Sequence, residues 1–399
     1  MPRLKIRLTP AAERAVRNGH PWVFADRIKS TNRDADAGEI AVVYDRNDRF
    51  LALGLFDPLS PIRLRILHAG KPVTADDEWW RQRMTETTGA RQFNERTTGY
   101  RWINGESDGW PGLVLDRYGN TAVVKIYTAA WLPWLDSIRE WIVSCCAPAP
   151  TRIVLRLSRN IVDHAATMFG KKDGDMLLGD APETATIFLE AGLKFEADVI
   201  RGQKTGFFLD QRENRRRVAG MAKDADLLNV FSHAGGFSVH AAAAGAKSAT
   251  DLDISAHALE SAKRNMALNA DQPAVTRCRH ETIKADAFDW LTNADRKWFD
   301  IIVIDPPSMA KRQDEVTGAL SAYERLATLG FRRLRPGGFL VAASCSAHVT
   351  AADFFQTIRQ CASRLRAGFR EIATTEHPPD HPARILEAHY LKCMFIRKL

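Results

Sequence analysis

The sequence predicts an α/β chain: a doubly wound, mostly parallel sheet in the C-terminal half, preceded by a small β domain and a small central α+β domain. Three observations predict this. After residue 190, continuous apolar runs of strand length alternate with amphipathic segments of helix length, as in a parallel sheet covered on both faces. The first ~75 residues carry short strand-like segments separated by turns, at the spacing of a small β-fold. The length of 399 residues is too great for one ordinary core and suits two or three domains. The expected division is 1–75, 76–190 and 191–399.

In the N-terminal part, residues 39–44 and 50–56 are apolar runs parted by the turn-like Asp45-Arg46-Asn47-Asp48. Ile62, Leu64 and Ile66 alternate with Arg63 and Arg65, a period of two that puts the apolar side chains on one face and the arginines on the other. The arginine face reads either as a solvated strand face or as one that contacts phosphates. Residues 75–91 turn helical, with Trp79, Trp80, Arg81 and Arg83. The stretch 101–112 that follows is turn chemistry. Strands at 113–116 and 121–127, a helix around 131–146 and a strand at 152–157 make a β-β-α-β unit. The Gly/Lys/Asp-rich stretch 169–180 reads as a loop.

Beyond residue 190, strands are expected at 227–231, 248–252, 299–304 and 339–343, and helices at 237–245, 255–269 and 350–365. Such domains bind ligands at the carboxyl ends of their strands.

Composition narrows the function classes. Hydrophobic residues make up 45% and charged residues 26%, which excludes a disordered or fibrous chain. Lys plus Arg number 56 against 48 acidic residues, a formal charge of +8. That excess raises the weight of a nucleic-acid partner without deciding it. The six cysteines, Cys145, Cys146, Cys278, Cys345, Cys361 and Cys393, contain no C-x-x-C pair, and no Cys/His cluster has metal-ligand spacing, so no metal is expected. Sparse cysteine usage fits a reducing cytosol, and a cytoplasmic location is expected. Residues 1–10 lack an apolar core of signal-peptide length. No apolar run approaches the ~20 residues of a membrane helix, so no membrane partner is expected.

Residues 227–238 read as a strand, a tight turn and a helix start, with Asn229 and Phe231 leading into Gly235 and Gly236. The two glycines allow unusual backbone angles and let a ligand approach the main chain. They do not form the G-x-G-x-x-G dinucleotide fingerprint. The next strand ends at Asp251-Leu252-Asp253, where an acidic residue can accept from ribose hydroxyls; Asp253, at the tip, suits this better than Asp251. Asp286 follows, where a carboxylate could receive an adenine amino group, and then Asp305-Pro306-Pro307 at the end of a fully apolar strand. Each carboxylate alone is more often a helix cap or a solvated loop residue. Four signals in order, each at a strand's carboxyl end, argue for a cofactor site.

That order resembles the class I S-adenosylmethionine-dependent methyltransferases. Gln203-Lys204-Thr205-Gly206-Phe207-Phe208-Leu209-Asp210-Gln211-Arg212-Glu213-Asn214 is similar to the segment before the cofactor loop in bacterial 23S ribosomal RNA cytosine-C5 methyltransferases with an N-terminal PUA domain. Gly19-His20-Pro21-Trp22-Val23-Phe24 resembles that family's PUA entry motif, and Glu106-Ser107-Asp108-Gly109-Trp110-Pro111-Gly112-Leu113 its middle domain. Asp380-His381-Pro382 and Tyr390-Leu391-Lys392 resemble its C-terminal end. The resemblance spans nearly the whole chain. It implies a PUA-like RNA-binding domain at 1–75 and a Rossmann-like methyltransferase domain at 191–399. It also implies S-adenosyl-L-methionine as cofactor and 23S ribosomal RNA, free or partly assembled, as partner. A homodimer is left open. Phe208, Gln211 and Arg212 would help enclose the cofactor, together with Asn229, Phe231, Gly235, Gly236, Asp253, Asp286, Asp305 and Pro306.

Cytosine C5 is a poor nucleophile until a thiolate adds at C6 and pushes electron density to C5. The family places its nucleophile in a Ser-Cys-Ser motif, here Ser344-Cys345-Ser346, directly after the strand at 339–343. A free cysteine is more often a buried small hydrophobe. Apolar burial would not need this polar strand tip, which favours Cys345 as the nucleophile. Asp305 would orient the base, by accepting from the cytosine amino group or by holding N3 protonated; otherwise it only closes the cofactor pocket. Related enzymes often carry Lys or Thr after the two prolines, whereas this chain has Ser308-Met309. That loop has no second cysteine, so a single-cysteine mechanism is implied.

Arg212, Arg215, Arg216 and Arg217 form a basic run before the cofactor loop, and Lys311 and Arg312 follow the prolines. Both read either as solvated faces or as phosphate holders. Three rival functions share parts of these signals. One is an RNA methyltransferase acting on guanine N7 or an exocyclic amine. Another is a non-catalytic RNA-binding assembly factor, against which the intact acidic series argues. The third is a nucleotide-dependent oxidoreductase, against which the glycine spacing argues.

Overall fold

The alternating segments of the N-terminal region pair into a six-stranded sheet. Its strands are β1 (Leu4–Leu8), β2 (Trp22–Phe24), β3 (Ile28–Thr31), β4 (Ile40–Tyr44), β5 (Phe50–Phe56) and β6 (Ile62–Ala69), in the order β2-β6-β5-β4-β1-β3. This computed structural model describes residues 3–293, 297–364 and 368–399. β1 and β4 run parallel; the other neighbours are antiparallel. The expectation of strands alone is corrected by α1 (Pro10–Arg17). Thr9 caps this helix and Pro10 occupies its first turn, which are helix-start signals. Ala12 and Val16 bury its inner face in a core with Leu4, Ile6, Val43 and Leu64.

Arg65 also departs from the reading of an open arginine face. It is buried, with Nη1 3.4 Å from Glu106 Oε1. Burial pushes its guanidinium down from the ordinary value, against the pull of Glu106 and Asp57. The indole of Trp22 donates to the same Glu106 oxygen at 2.8 Å. A period of two shows that a strand has a second face; it does not show that something covers that face.

A second sheet follows, made of β7 (Gly99–Asn104), β8 (Leu113–Tyr118), β9 (Thr121–Ile126), β10 (Arg152–Leu157) and β11 (Met176–Leu178), in the order β11-β10-β9-β8-β7. Its helices are α2 (Asp77–Gly89), α3 (Leu135–Cys145) and α4 (Val162–Phe169). β7 extends into the stretch read as turn, and β11 interrupts the stretch read as loop. Glycine density hid the first, and three residues are too few to show a period in the second. The core centres on Trp80, stacked on Trp141 at 5.2 Å and ringed by Trp110, Trp131 and Trp134. Leu55 and Leu67 of the first sheet belong to this same core. The ribbon β12 (Thr186–Glu190) and β13 (Leu193–Ala197) carries the chain onward.

Two compact units result. The first is Met1–Leu189 with Ala197–Leu209 and Asp380–Ile385; the second is Glu190–Glu196 with Asp210–Pro379 and Leu386–Leu399. Both returning segments of the first unit are held by polar bonds. Thr205 Oγ1 donates to the buried Asp116 at 2.6 Å. Asp380 accepts the amide of Arg101 at 3.0 Å, and Asn104 donates to Pro382 O at 2.8 Å.

The second unit is the doubly wound domain. Its helices are α5 (Arg212–Ala219), α6 (Gly236–Ala243), α7 (Ala256–Leu268), α8 (Pro273–Arg277), α9 (Ala287–Asn293), α10 (Val316–Arg333) and α11 (Ala351–Arg364). The last matches the helix expected at 350–365, whose final residue, Leu365, lies outside the described residues. Its strands are β14 (Asp226–Val230), β15 (Ser248–Asp253), β16 (Arg279–Lys284), β17 (Phe299–Ile304), β18 (Leu334–Ser344), β19 (Phe369–Thr375) and β20 (Lys392–Lys398). They lie in the order β16-β15-β14-β17-β18-β20-β19. The first five are parallel, and β20 is antiparallel to both β18 and β19. Strand order reverses between β14 and β17, the switch point at which such sheets open a crevice for ligands. Among the described residues, no helix is long and apolar enough to cross a membrane.

Candidate active site

The turn after β14 is held under backbone strain. Phe231, His233 and Gly235 all have positive φ, at 60°, 47° and 71°. For a bulky residue such as Phe231 this region is sparsely populated, and surrounding bonds must hold it there. Asp253 supplies one of them, accepting the amide of His233 at 2.9 Å; its other oxygen accepts from the amide of Ser255 at 2.9 Å. Gly235 packs so closely that an added Cβ would stand 2.8 Å from Ala262 Cβ and 2.9 Å from Asp251 Oδ2. Gly236 opens α6.

Asp251 and Asp253 have separate tasks. Asp251 is fully buried and accepts from Asn229 Nδ2 at 2.8 Å and Ser238 Oγ at 2.6 Å, with His280 Nε2 at 2.8 Å. It binds β14, α6, β15 and β16 together from below the turn. The Asn229 amide is therefore committed inward. Asp253 is half-buried at the strand tip. Asp286 is exposed and accepts the amide of Asp289 at 3.0 Å in the first turn of α9.

Asp305 follows β17, half-buried, and its amide lies 3.4 Å from Val230 O. Pro306 is buried, and its carbonyl lies 3.8 Å from Cys345 Sγ. The loops after β17 and β18 therefore meet, bringing the two residues expected to act on the substrate to one edge of the sheet. Cys145 and Cys345 are half-buried, whereas Cys146, Cys278, Cys361 and Cys393 are buried. Burial pushes the Cys146 thiol up to about 12 and the Cys278 thiol up to about 11.

Residues 148–397 match the family profile of S-adenosylmethionine-dependent methyltransferases, and residues 6–69 match that of PUA-like domains. A ribosomal RNA large subunit methyltransferase of Deinococcus radiodurans is 49% identical over 410 residues, covering 99% of this chain and 98% of that protein. The chain belongs to the large-subunit ribosomal RNA methyltransferases. Ribosomal RNA large subunit methyltransferase I of Aliivibrio fischeri is 31% identical, with 98% of each chain covered. A solved chain described as a methyltransferase complexed with S-adenosylhomocysteine shares the fold at a TM-score of 0.81 and 22% identity, covering 100% of both chains. A Streptococcus mutans chain described as a SAM-dependent methyltransferase does so at 0.77 and 22%, covering 98% of this chain and 99% of that one. The enzyme uses S-adenosylmethionine to methylate large-subunit ribosomal RNA.

The basic run of this methyltransferase is split by helical geometry. Arg212 and Arg215 are buried, while Arg216 and Arg217 are exposed. Arg215 makes a two-pronged bond to the fully buried Glu190, at 2.6 and 2.7 Å, so it is neither a solvated nor a phosphate-holding residue. The three-residue spacing of 212 and 215 turns both inward. Gln211 is buried and accepts from Asn214 Nδ2 at 2.6 Å. Phe208 lies in the first unit, with Lys204 Nζ 4.6 Å from its ring centre. Arg312 is exposed and paired with Glu315 at 3.1 Å.

Two other features lie apart from the strand-tip carboxylates. A cavity of about 500 Å³ opens at the amino ends of the strands, lined in part by Asp226, Ser248, Arg279, Trp298 and Arg335. Glu376, His377 and His389 bring ligand-type atoms within 4.8 Å of one another. The amides of Tyr390 and Leu391 already donate to His377 Nε2, at 3.3 and 3.1 Å, taking the lone pair a metal would need.

Proposed function

We propose that this enzyme methylates C5 of a cytosine in 23S ribosomal RNA through a covalent bond between Cys345 Sγ and cytosine C6. One observation carries the reading: the half-buried thiol of Cys345 lies 3.8 Å from Pro306 O, so the nucleophile's loop meets the loop that begins at Asp305.

The residues at the strand tips fit the cofactor chemically. Asp253 would accept from ribose hydroxyls, because each carboxylate oxygen keeps a lone pair beyond its bond to a backbone amide. The exposed Asp286 would take the adenine amino group. The strained turn at Phe231, Gly235 and Gly236, with Asn229 beneath it, would bring main chain close to the ligand. Gln211, Arg212, Asp305 and Pro306 would border the site, and a part for Phe208 follows from the family motif. S-adenosylmethionine supplies an electrophilic methyl group carried on a sulfonium.

As its thiolate, Cys345 donates an electron pair to C6 and the ring's density moves to C5, which would take the methyl group as the methyl's bond to the sulfonium sulfur breaks. C5 then loses its proton, the ring double bond re-forms and the C6–S bond breaks, returning the thiolate. Asp305 would orient the base by accepting from its amino group. The base must leave its stack to reach the loops. The PUA-like domain would supply backbone and shape recognition, and a ribosomal RNA substrate implies work in the cytoplasm.

The test is methyl transfer from labelled S-adenosylmethionine to unmodified large-subunit ribosomal RNA, by wild type and Cys345→Ala, with digestion to nucleosides. Label in 5-methylcytidine that disappears in the variant supports the reading. Label on a purine, or an active variant, removes the cytosine-C5 assignment and leaves the RNA methyltransferase.

A further inference from the structure

Both neighbours of Cys345 are fully buried serines. The hydroxyl of Ser346 is a meeting point for two loops and a helix. The amides of Met309 and Ala310 donate to its oxygen at 3.0 and 3.3 Å, with Ser308 Oγ at 3.2 Å and Tyr323 OH at 3.0 Å. A hydroxyl has two lone pairs and one hydrogen. The two amides fill the lone pairs, and the hydrogen is left for Tyr323 or Ser308. Ser344 Oγ in turn donates to Tyr323 OH at 2.9 Å. Tyr323, from α10, therefore touches the residue before the nucleophile and the residue after it.

Lys392 adds a third constraint. It stands opposite Ser344 in the β18–β20 register and donates to the carbonyls of Ser346 and Val349, both at 2.5 Å. It is 2% exposed, and burial pushes its ammonium down to about 8 while Cys345 and Glu376 hold it up. A buried lysine is tolerated only where fixed acceptors meet it. A buried polar network whose members are satisfied selects one arrangement of the groups that bear it. Nothing about burying a small apolar side chain at position 345 would require it.

We propose that Tyr323, Ser346 and Lys392 are positioning residues for the nucleophile: Ser346 ties the residue after Cys345 to the loop that starts at Asp305, Tyr323 joins the hydroxyls on both sides of Cys345, and Lys392 fixes the carbonyl of Ser346, so that thiol and carboxylate are presented to one base in a fixed relation. This rests on Cys345 being the nucleophile. All three are buried, at 2%, 0% and 2% exposed, so their part is to hold the nucleophile's surroundings rather than to meet the base.

The experiment uses the full-length enzyme and a large-subunit ribosomal RNA transcript made with 5-fluorocytidine. Fluorine at C5 cannot leave as a proton does, so the methylated adduct persists as a cross-linked band. Wild type should form the band and Cys345→Ala should not; the opposite result overturns the nucleophile reading and the inference with it. Given the band, Tyr323→Phe, Ser346→Ala and Lys392→Met are compared with wild type for adduct rate, KM for the RNA and affinity for S-adenosylmethionine. Misplacing a reacting group predicts adduct rates lower by about 10- to 100-fold. KM and cofactor affinity should stay within about threefold of wild type, the split expected when only the chemical step is impaired. Tyr323→Phe removes a single oxygen and is the mildest of the three. Wild-type adduct rates in the variants overturn the inference. A fall in cofactor affinity that parallels the fall in rate also overturns it, because that marks a loosened domain rather than a misaimed thiol.

Discussion

Asp253 accepts the main-chain amide of His233 at 2.9 Å, tying the tip of β15 to the strained turn that follows β14. Asp253→Ala removes both this anchor and the carboxylate assigned to the ribose. Hydrogen bonds to a charged group are worth about 1.5–3 kcal/mol. Affinity for S-adenosylmethionine should therefore fall by roughly 10- to 100-fold. Calorimetric titration of the full chain with S-adenosylmethionine checks this, and an affinity equal to wild type would remove Asp253 from the site.

Gly235 offers a narrower test of the same turn. Its φ of +71° and the 2.8 Å approach of an added methyl to Ala262 Cβ mean that Gly235→Ala must move either the turn or α7. Positive φ and a close contact together disfavour alanine by about 1–3 kcal/mol. The expected result is weaker cofactor binding, with Cys345 still alkylated by iodoacetamide at the wild-type rate. Changed reactivity at Cys345 would mean that the disturbance is not confined to the turn.

The parts legible in the sequence were those with a local signature. The apolar run of β17 is buried along nearly its whole length, and the acidic residues lie at strand tips in the expected order. Edge strands escaped because they lack an apolar face: β16 reads Arg-His-Glu-Thr-Ile-Lys. Arg65 and Arg215 read as solvated or phosphate-contacting residues but are buried, because the partners that bury them, Glu106 and Glu190, are 41 and 25 residues away and leave no local signature. The contacts of Tyr323, Ser346 and Lys392 come from α10, the loop after β18 and β20, and no spacing in the chain announces such a meeting.

Arg215 and Glu190 provide a test of stability. Glu190 is fully buried, and the ring of His240 adds a third member, with Nε2 2.9 Å from Glu190 Oε1. Arg215→Leu leaves a buried carboxylate without its main partner, which destabilises by about 3–5 kcal/mol. A chain of two units need not unfold in one step. Hydrogen exchange of the amides in α5 and α6 is therefore the better readout, and protection there should fall accordingly. Wild-type protection would show that the pair contributes little.

The same carboxyl sets an acid dependence. Burial alone would push Glu190 up, but the Arg215 guanidinium and the hydrogen bond with His240 hold it down to about 2, from an ordinary 4.5. A carboxyl depressed in the folded state contributes stability that is fully present above its unfolded value. That contribution is lost as pH falls through the folded value, so the window runs from about 4.5 down to about 2. The second unit should lose on the order of 3 kcal/mol across it from this group. Glu190→Gln cannot titrate and should be less stable than wild type at pH 7, with the difference shrinking as the solution is acidified. Protection of α5 and α6, measured by exchange at several pH values, compares the two. A difference that stays constant with pH would mean that Glu190 is not held ionised in the folded enzyme.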